Sequence, residues 1–187
     1  MGISSAETFY PGYSTARNSI GDLGASLPPN SMIVQPSATI FDLVVLATGL
    51  LVLAAAAILG RAAFVWPMTV PLGLYGLGAF LVGVFHGNWA NVHTLAALLT
   101  FVAGGVSAIA AATAVRGPFR IVAPVLGAIS LLTLASYCVL SSASPMTASG
   151  LGGLERRIAY PAILFVLAFG GYLQGAAASA PVVTRVA

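Results

Sequence analysis

The residues able to do chemistry in this chain are few, and they fall in four places. Arg17 and Asp22 lie in the run YPGYSTARNSIGDLGA, residues 10–25. Asp42 stands near the start of the first long apolar stretch. His86 and His93 flank a connection holding Gly87, Asn88 and Trp89. Glu155, Arg156 and Arg157 sit in GLERRIAYP. A histidine beside a carboxylate can relay a proton. Two histidines with a carboxylate can hold a metal. An arginine can fork onto a phosphate.

Each residue also has a plainer reading. Asp22 caps a turn or pairs with an arginine, or it offers a carboxylate to a ligand. The run around it is turn chemistry, because Gly21 and Gly24 permit unusual backbone angles and Asn18 and Asp22 bond nearby N–H groups. Asp42 either faces the bundle interior as a ligand-facing acid or rests in the headgroup layer as a helix-start acid. His86 and His93 do not have a zinc spacing, so no metal site is assigned; a hydrogen bond to a facing helix accounts for them. Trp89 reads as an interface anchor. Of Arg156 and Arg157, one is expected to pair with Asp22 or Asp42 and the other to meet a lipid phosphate or water. No nucleophile motif or phosphate loop occurs. Ser141, Ser142 and Ser144 have no local base, and the lone Cys138 makes no internal disulfide. No cofactor is implied.

The elements that must position these residues follow from composition. Of 187 residues, 59% are hydrophobic and 6% charged. A water-soluble domain carries about 25% charged residues, so the solvent here is a bilayer. Seven arginines without lysine make no basic stripe for nucleic acid. Five stretches reach the roughly 20 apolar residues needed to span hydrocarbon as a helix: 40–59, 66–85, 91–115, 119–141 and 158–178. The expected fold is all-α, a polytopic transmembrane bundle with five spans. Links 60–65, 86–90 and 116–118 are short and force antiparallel neighbours. The link 142–155 is long enough to fold back over the bundle.

Domain organisation is expected to be an ordered extracytoplasmic cap over 1–39, the bundle over 40–179 and a cytoplasmic tail over 180–187. Arg61, Arg116, Arg120 and Arg185 lie on one side with no acid, and that side is assigned to the cytoplasm. The N-terminus is then outside and the C-terminus inside. The first forty residues do not read as a cleavable signal peptide. Small residues at packing spacing are Ala79 and Gly83; Gly104, Ala108 and Ala112; and Gly171, Gly175 and Ser179. Pro67, Pro71 and Pro124 lie near span starts. This topology gathers Arg17, Asp22, Asp42, His86, His93, Glu155, Arg156 and Arg157 at the external end.

Three segments in order, PGYSTARNSIGDLGA, NVHTLAALLTFVAGG and GLERRIAYP, resemble the prokaryotic membrane family called domain of unknown function 998, and the broader Frag1/DRAM/Sfk1-like group. The resemblance runs from about Glu7 to Gly171 and includes His93, Ala97 and Phe101. It implies a six-helix bundle with no established chemistry. Asp22, His93, Glu155 and Arg156 match the motif positions. Gly21 replaces a usual serine, and the family's first helix has no counterpart before Tyr10. The expected fold is thus the family bundle minus its first helix, with a groove that another membrane protein would fill, unless the start is placed too late.

Two functions follow as expectations. The first is a non-catalytic lipid-binding bundle or accessory subunit, with membrane lipids as partners. The alternative is a membrane-embedded lipid-modifying enzyme acting at the outer leaflet. A transporter fits less well, because the midplane stretches hold nothing more polar than Ser, Thr or Gly.

Overall fold

In the computed structural model the described residues are 2–62, 66–140 and 150–179. The tail from 180 on, with Arg185, and the serines at 141, 142 and 144 lie outside them. Among the described residues there is no strand. A short helix α1 (Gly2–Thr8) precedes a turn-rich segment with one 3-10 turn, Gly21–Leu23. Five long helices follow: α2 (Ser37–Arg61), α3 (Trp66–Val84), α4 (Ala90–Ala110), α5 (Phe119–Leu140) and α6 (Gly150–Ala178). All five are long and apolar enough to cross a membrane, the mark of a multi-pass membrane protein. Large apolar side chains face outward as well as inward: Val139 is 80% exposed, Leu51 71% and Leu167 68%.

Successive helices pack side by side and antiparallel, and α4 also packs on α6. Backbone proximity, not bulk, holds α2 to α3. A Cβ on Gly76 would lie 2.8 Å from the Leu53 nitrogen and 3.0 Å from the Gly49 carbonyl oxygen. The same device joins α4 to α5, where a Cβ on Gly127 would stand 2.5 Å from the Gly105 oxygen. Burying leucine against leucine gains little in lipid, so close approach by small residues is what associates such helices. Gly83 and Gly104 pack as the sequence suggests, against Leu46 and against Tyr75 with Ala162. The third stripe does not: Gly171 and Gly175 have nothing within 4 Å. Gly171 lies on the outward side of α6, since its neighbours Phe169 and Tyr172 pack inward.

Away from the polar segments, Phe119, Phe165, Phe169 and Tyr172 form a stack, with the Phe119 and Phe165 rings 6.3 Å apart and 5° from parallel. The Tyr172 hydroxyl accepts the Arg116 N–H at 3.0 Å and so ties α6 to the α4–α5 connection.

The expected start of the last span at 158 needs correction. Helix α6 begins at Gly150, so Glu155, Arg156 and Arg157 are helical and Pro161 lies inside the helix. Its first turns bury Leu154 and Ile158 and are bonded to the N-terminal segment.

Candidate functional site

The segment after α1 is ordered by its own side chains. Ser19 and Asp22 form a capping box: the Ser19 hydroxyl accepts the Asp22 N–H at 3.1 Å, and the Asp22 carboxylate accepts the Ser19 N–H at 3.0 Å. Asp22 also accepts from the Asn18 amide at 3.2 Å, and Asn18 in turn accepts the Ser14 N–H at 3.0 Å. Asp22 thus commits Oδ2 to the turn and makes no arginine pair.

This segment lies across the start of α6. The Ala16 carbonyl accepts the N–H groups of Gly152 and Gly153 at 2.9 and 3.3 Å, satisfying donors that a helix N-terminus leaves free. Glycine is required there, because a Cβ on Gly152 would lie 2.6 Å from the Thr15 carbonyl oxygen. Arg156 then clamps the segment. Its Nη1 donates to the carbonyls of Thr15, Asn18 and Gly152 at 2.9, 3.3 and 3.0 Å. Its Nη2 donates to Glu7 Oε1 at 2.5 Å and to the Tyr13 hydroxyl at 2.9 Å. The guanidinium also lies 5.6 Å from the Tyr13 ring centre. Only Nε is left without a partner. Tyr13 passes the chain on by donating to the Ser19 carbonyl at 2.7 Å. Burial pushes the Tyr13 phenol up to about 12, against the pull of Arg156. It therefore keeps its proton, and its donor role, at neutral pH.

The expected pairing is thus corrected. Arg156 pairs with Glu7, not with Asp22 or Asp42, while Arg17 and Arg157 are exposed. Asp42 instead meets His86, with Oδ2 3.1 Å from Nδ1, linking the start of α2 to the α3–α4 connection. The other oxygen, Oδ1, is buried without a partner beside Gly24.

His93 behaves differently. Its Nδ1 lies 2.7 Å from the Phe85 carbonyl oxygen, which can only accept, so Nδ1 carries the proton. In the neutral ring Nε2 then bears a lone pair. It points toward Gly21, where a Cβ would come within 2.7 Å. Among the described residues no group donates to it. Glu155, also facing this place, accepts the Ile20 N–H at 2.6 Å through Oε2.

Two cavities meet here. One of about 510 Å³ lies between α2, α3, α4 and α6, with the start of α1 at its edge. Its lining is mostly apolar, including Phe41, Val45, Ala79 and Ile163. No packed interface joins α2 to α6, and the lining residues Leu164 and Leu167 are 54% and 68% exposed, so the cavity opens sideways. A second of about 200 Å³ lies between α4, α5, α6 and the N-terminal segment. Gly21, His93, Ala97, Phe101 and Glu155 line both.

Of the eight polar residues gathered by sequence, only His93 and Glu155 thus reach the larger cavity. Asp22 lines the smaller one, and Arg156 lines neither. Among the described residues no group of three metal-ligating side chains converges. Sequence reasoning missed the parts played by Glu7, Tyr13 and Ser19. The Ser19–Asp22 spacing carried a readable signal as a capping box; the Glu7–Arg156 pair, 149 residues apart, carried none.

Residues 1–172 match the family described as "Protein of unknown function (DUF998)". No curated protein and no solved structure matches the chain. The family match takes in the clamped N-terminal segment, α2 to α5 whole, α6 as far as residue 172, and the His93–Glu155 junction. This membrane helix bundle accordingly belongs to the DUF998 family.

Proposed function

We propose that this protein is a non-catalytic membrane bundle that binds a lipid chain in the sideways-open cavity between α2 and α6. One observation carries the reading: a mostly apolar space of about 510 Å³, within the usual range of ligand pockets, that ends on two buried or half-buried polar groups. An apolar chain fits the walls, and a head group fits the His93–Glu155 end. The clamped N-terminal segment would form the roof on the extracytoplasmic side, which is the orientation the arginine distribution favours.

Native mass spectrometry of the whole chain in mild detergent tests this. Wild type is expected to retain a lipid. Ala97→Trp, which fills the space beside His93, is expected to lose it while keeping its helical circular dichroism. A bare wild-type chain, or equal lipid in both, would refute the reading. Retention of a second membrane protein instead would mean that a helix fills the groove and that the role is that of an accessory subunit.

A lipid-modifying enzyme at the outer leaflet is the second reading. It is favoured by the free lone pair of His93 Nε2 in a cavity shared with Glu155, an arrangement suited to a general base. It requires turnover of vesicle lipid that His93→Gln abolishes; unchanged lipid after prolonged incubation with wild type excludes it.

A further inference from the structure

The groups at the junction of the two cavities are acceptors. His93 Nε2 carries a lone pair because Nδ1 is committed to the Phe85 carbonyl. Glu155 faces both cavities and uses one oxygen on Ile20. Asp22, in the smaller cavity, is a further acceptor. No arginine lines either cavity, and the chain has no lysine. The nearest guanidinium, on Arg156, has five partners of its own. Thr48 and Thr100, lower in the larger cavity, donate to the Val44 and Ala96 carbonyls of their own helices.

A phosphate or carboxylate head would meet lone pairs at this place and no positive charge. A primary ammonium, with three N–H donors, would satisfy both His93 Nε2 and the free Glu155 oxygen, and an alcohol, with one O–H, would satisfy one of them and lessen the cost of leaving them unpaired away from water. We infer that the cavity selects a single-chain amphiphile whose head group is a hydrogen-bond donor without negative charge, an alcohol or a primary ammonium, held between His93 and Glu155. This rests on the lipid-binding reading and names the class of lipid.

The test uses four ligands sharing one alkyl chain: hexadecanol, hexadecylamine, hexadecyl methyl ether and methyl hexadecyl phosphate. The first two carry a donor, the third has none, and the fourth is anionic with none. Affinities are measured for the whole chain in mild detergent by native mass spectrometry. Hexadecanol is expected to bind at least roughly tenfold tighter than its methyl ether, the worth of one buried hydrogen bond, with the phosphate weaker still. His93→Phe and Glu155→Gln are expected to shrink the alcohol-to-ether ratio and leave ether binding intact. Gly21→Ala, which sets a methyl against Nε2, is expected to do the same. Ether or phosphate binding as tight as the alcohol would overturn the head-group inference while leaving chain binding in place. No binding by any of the four would remove the lipid-binding reading and this inference with it. Comparing the alcohol with the amine tells which donor the site prefers. The wild-type series needs no variant to fold.

Discussion

Replacing Arg156 by methionine should release the N-terminal segment while the five long helices stay assembled. The substitution keeps most of the side-chain volume and removes five hydrogen bonds. It also leaves Glu7 without its cation. The two side chains are 11% and 19% exposed, so this is a shielded pair. Removing one partner of such a pair costs about 3–5 kcal/mol. The pair sits at the rim of the bundle, where water can reach the freed carbonyls, so the lower end, about 3 kcal/mol, is expected. That free energy opposes local detachment, because Arg156 is a main polar tie of residues 13–18 to α6, beside the Gly152, Gly153 and Glu155 bonds, while Ile20 and Leu23 stay anchored in the apolar cluster with Phe41 and Ala159. Trypsin can cut after Arg17 only when the segment lifts, and cleavage then follows the open population. A loss of about 3 kcal/mol raises that population roughly a hundredfold. The fragment ending at Arg17 should therefore appear about a hundred times faster in Arg156→Met, with unchanged helical circular dichroism. Arg156→Lys should fall between, since an ammonium cannot fork onto both Glu7 and Tyr13. A cleavage rate within threefold of wild type in Arg156→Met would refute the clamp.

Three further outcomes are expected. Gly127→Ala should lower thermal stability in detergent by about 2 kcal/mol through the clash with the Gly105 carbonyl, while Gly171→Ala, open on all sides, should be neutral or stabilising by up to about 1 kcal/mol; equal effects would show that the α4–α5 contact does not depend on close backbone approach. The Tyr13 phenol lies near 10 when exposed and is raised to about 12 in the fold, so folding favours its neutral form; cap protection should be complete below pH 10 and fall away between 10 and 12, a step absent in Tyr13→Phe and visible by ultraviolet difference titration. In a chain carrying Cys138→Ser, cysteines placed at Arg17 and Arg157 should be labelled from one side of the membrane and one at Arg116 from the other; labelling of Arg17→Cys and Arg157→Cys from opposite sides would break the site apart.

The five spans were legible because they depend on local composition alone. A chain with 6% charged residues has no other solvent, and runs of twenty apolar residues bounded by short links dictate an antiparallel bundle. The gathering of polar segments at one end followed from the same counting. Close packing at Gly83 and Gly104 was readable from small-residue spacing, but the same spacing at Gly171 and Gly175 meant nothing, since spacing does not say whether a partner lies opposite.

The roles of the polar residues were decided by tertiary structure. Arg156 and Glu155 are adjacent in sequence, yet one points into the N-terminal segment and the other toward two cavities, because successive residues on a helix face about 100° apart. Asp22 reads from sequence as a turn cap or an arginine partner, and the fold decides for the cap, through its box with Ser19. His93 became an acceptor only because the end of α3 brings the Phe85 carbonyl to its other nitrogen. Sequence by itself determined the solvent, the helices and which end is polar, since those are sums over many residues. Which single atoms remain free at that end depends on contacts between segments far apart in the chain, and only the packed bundle sets those.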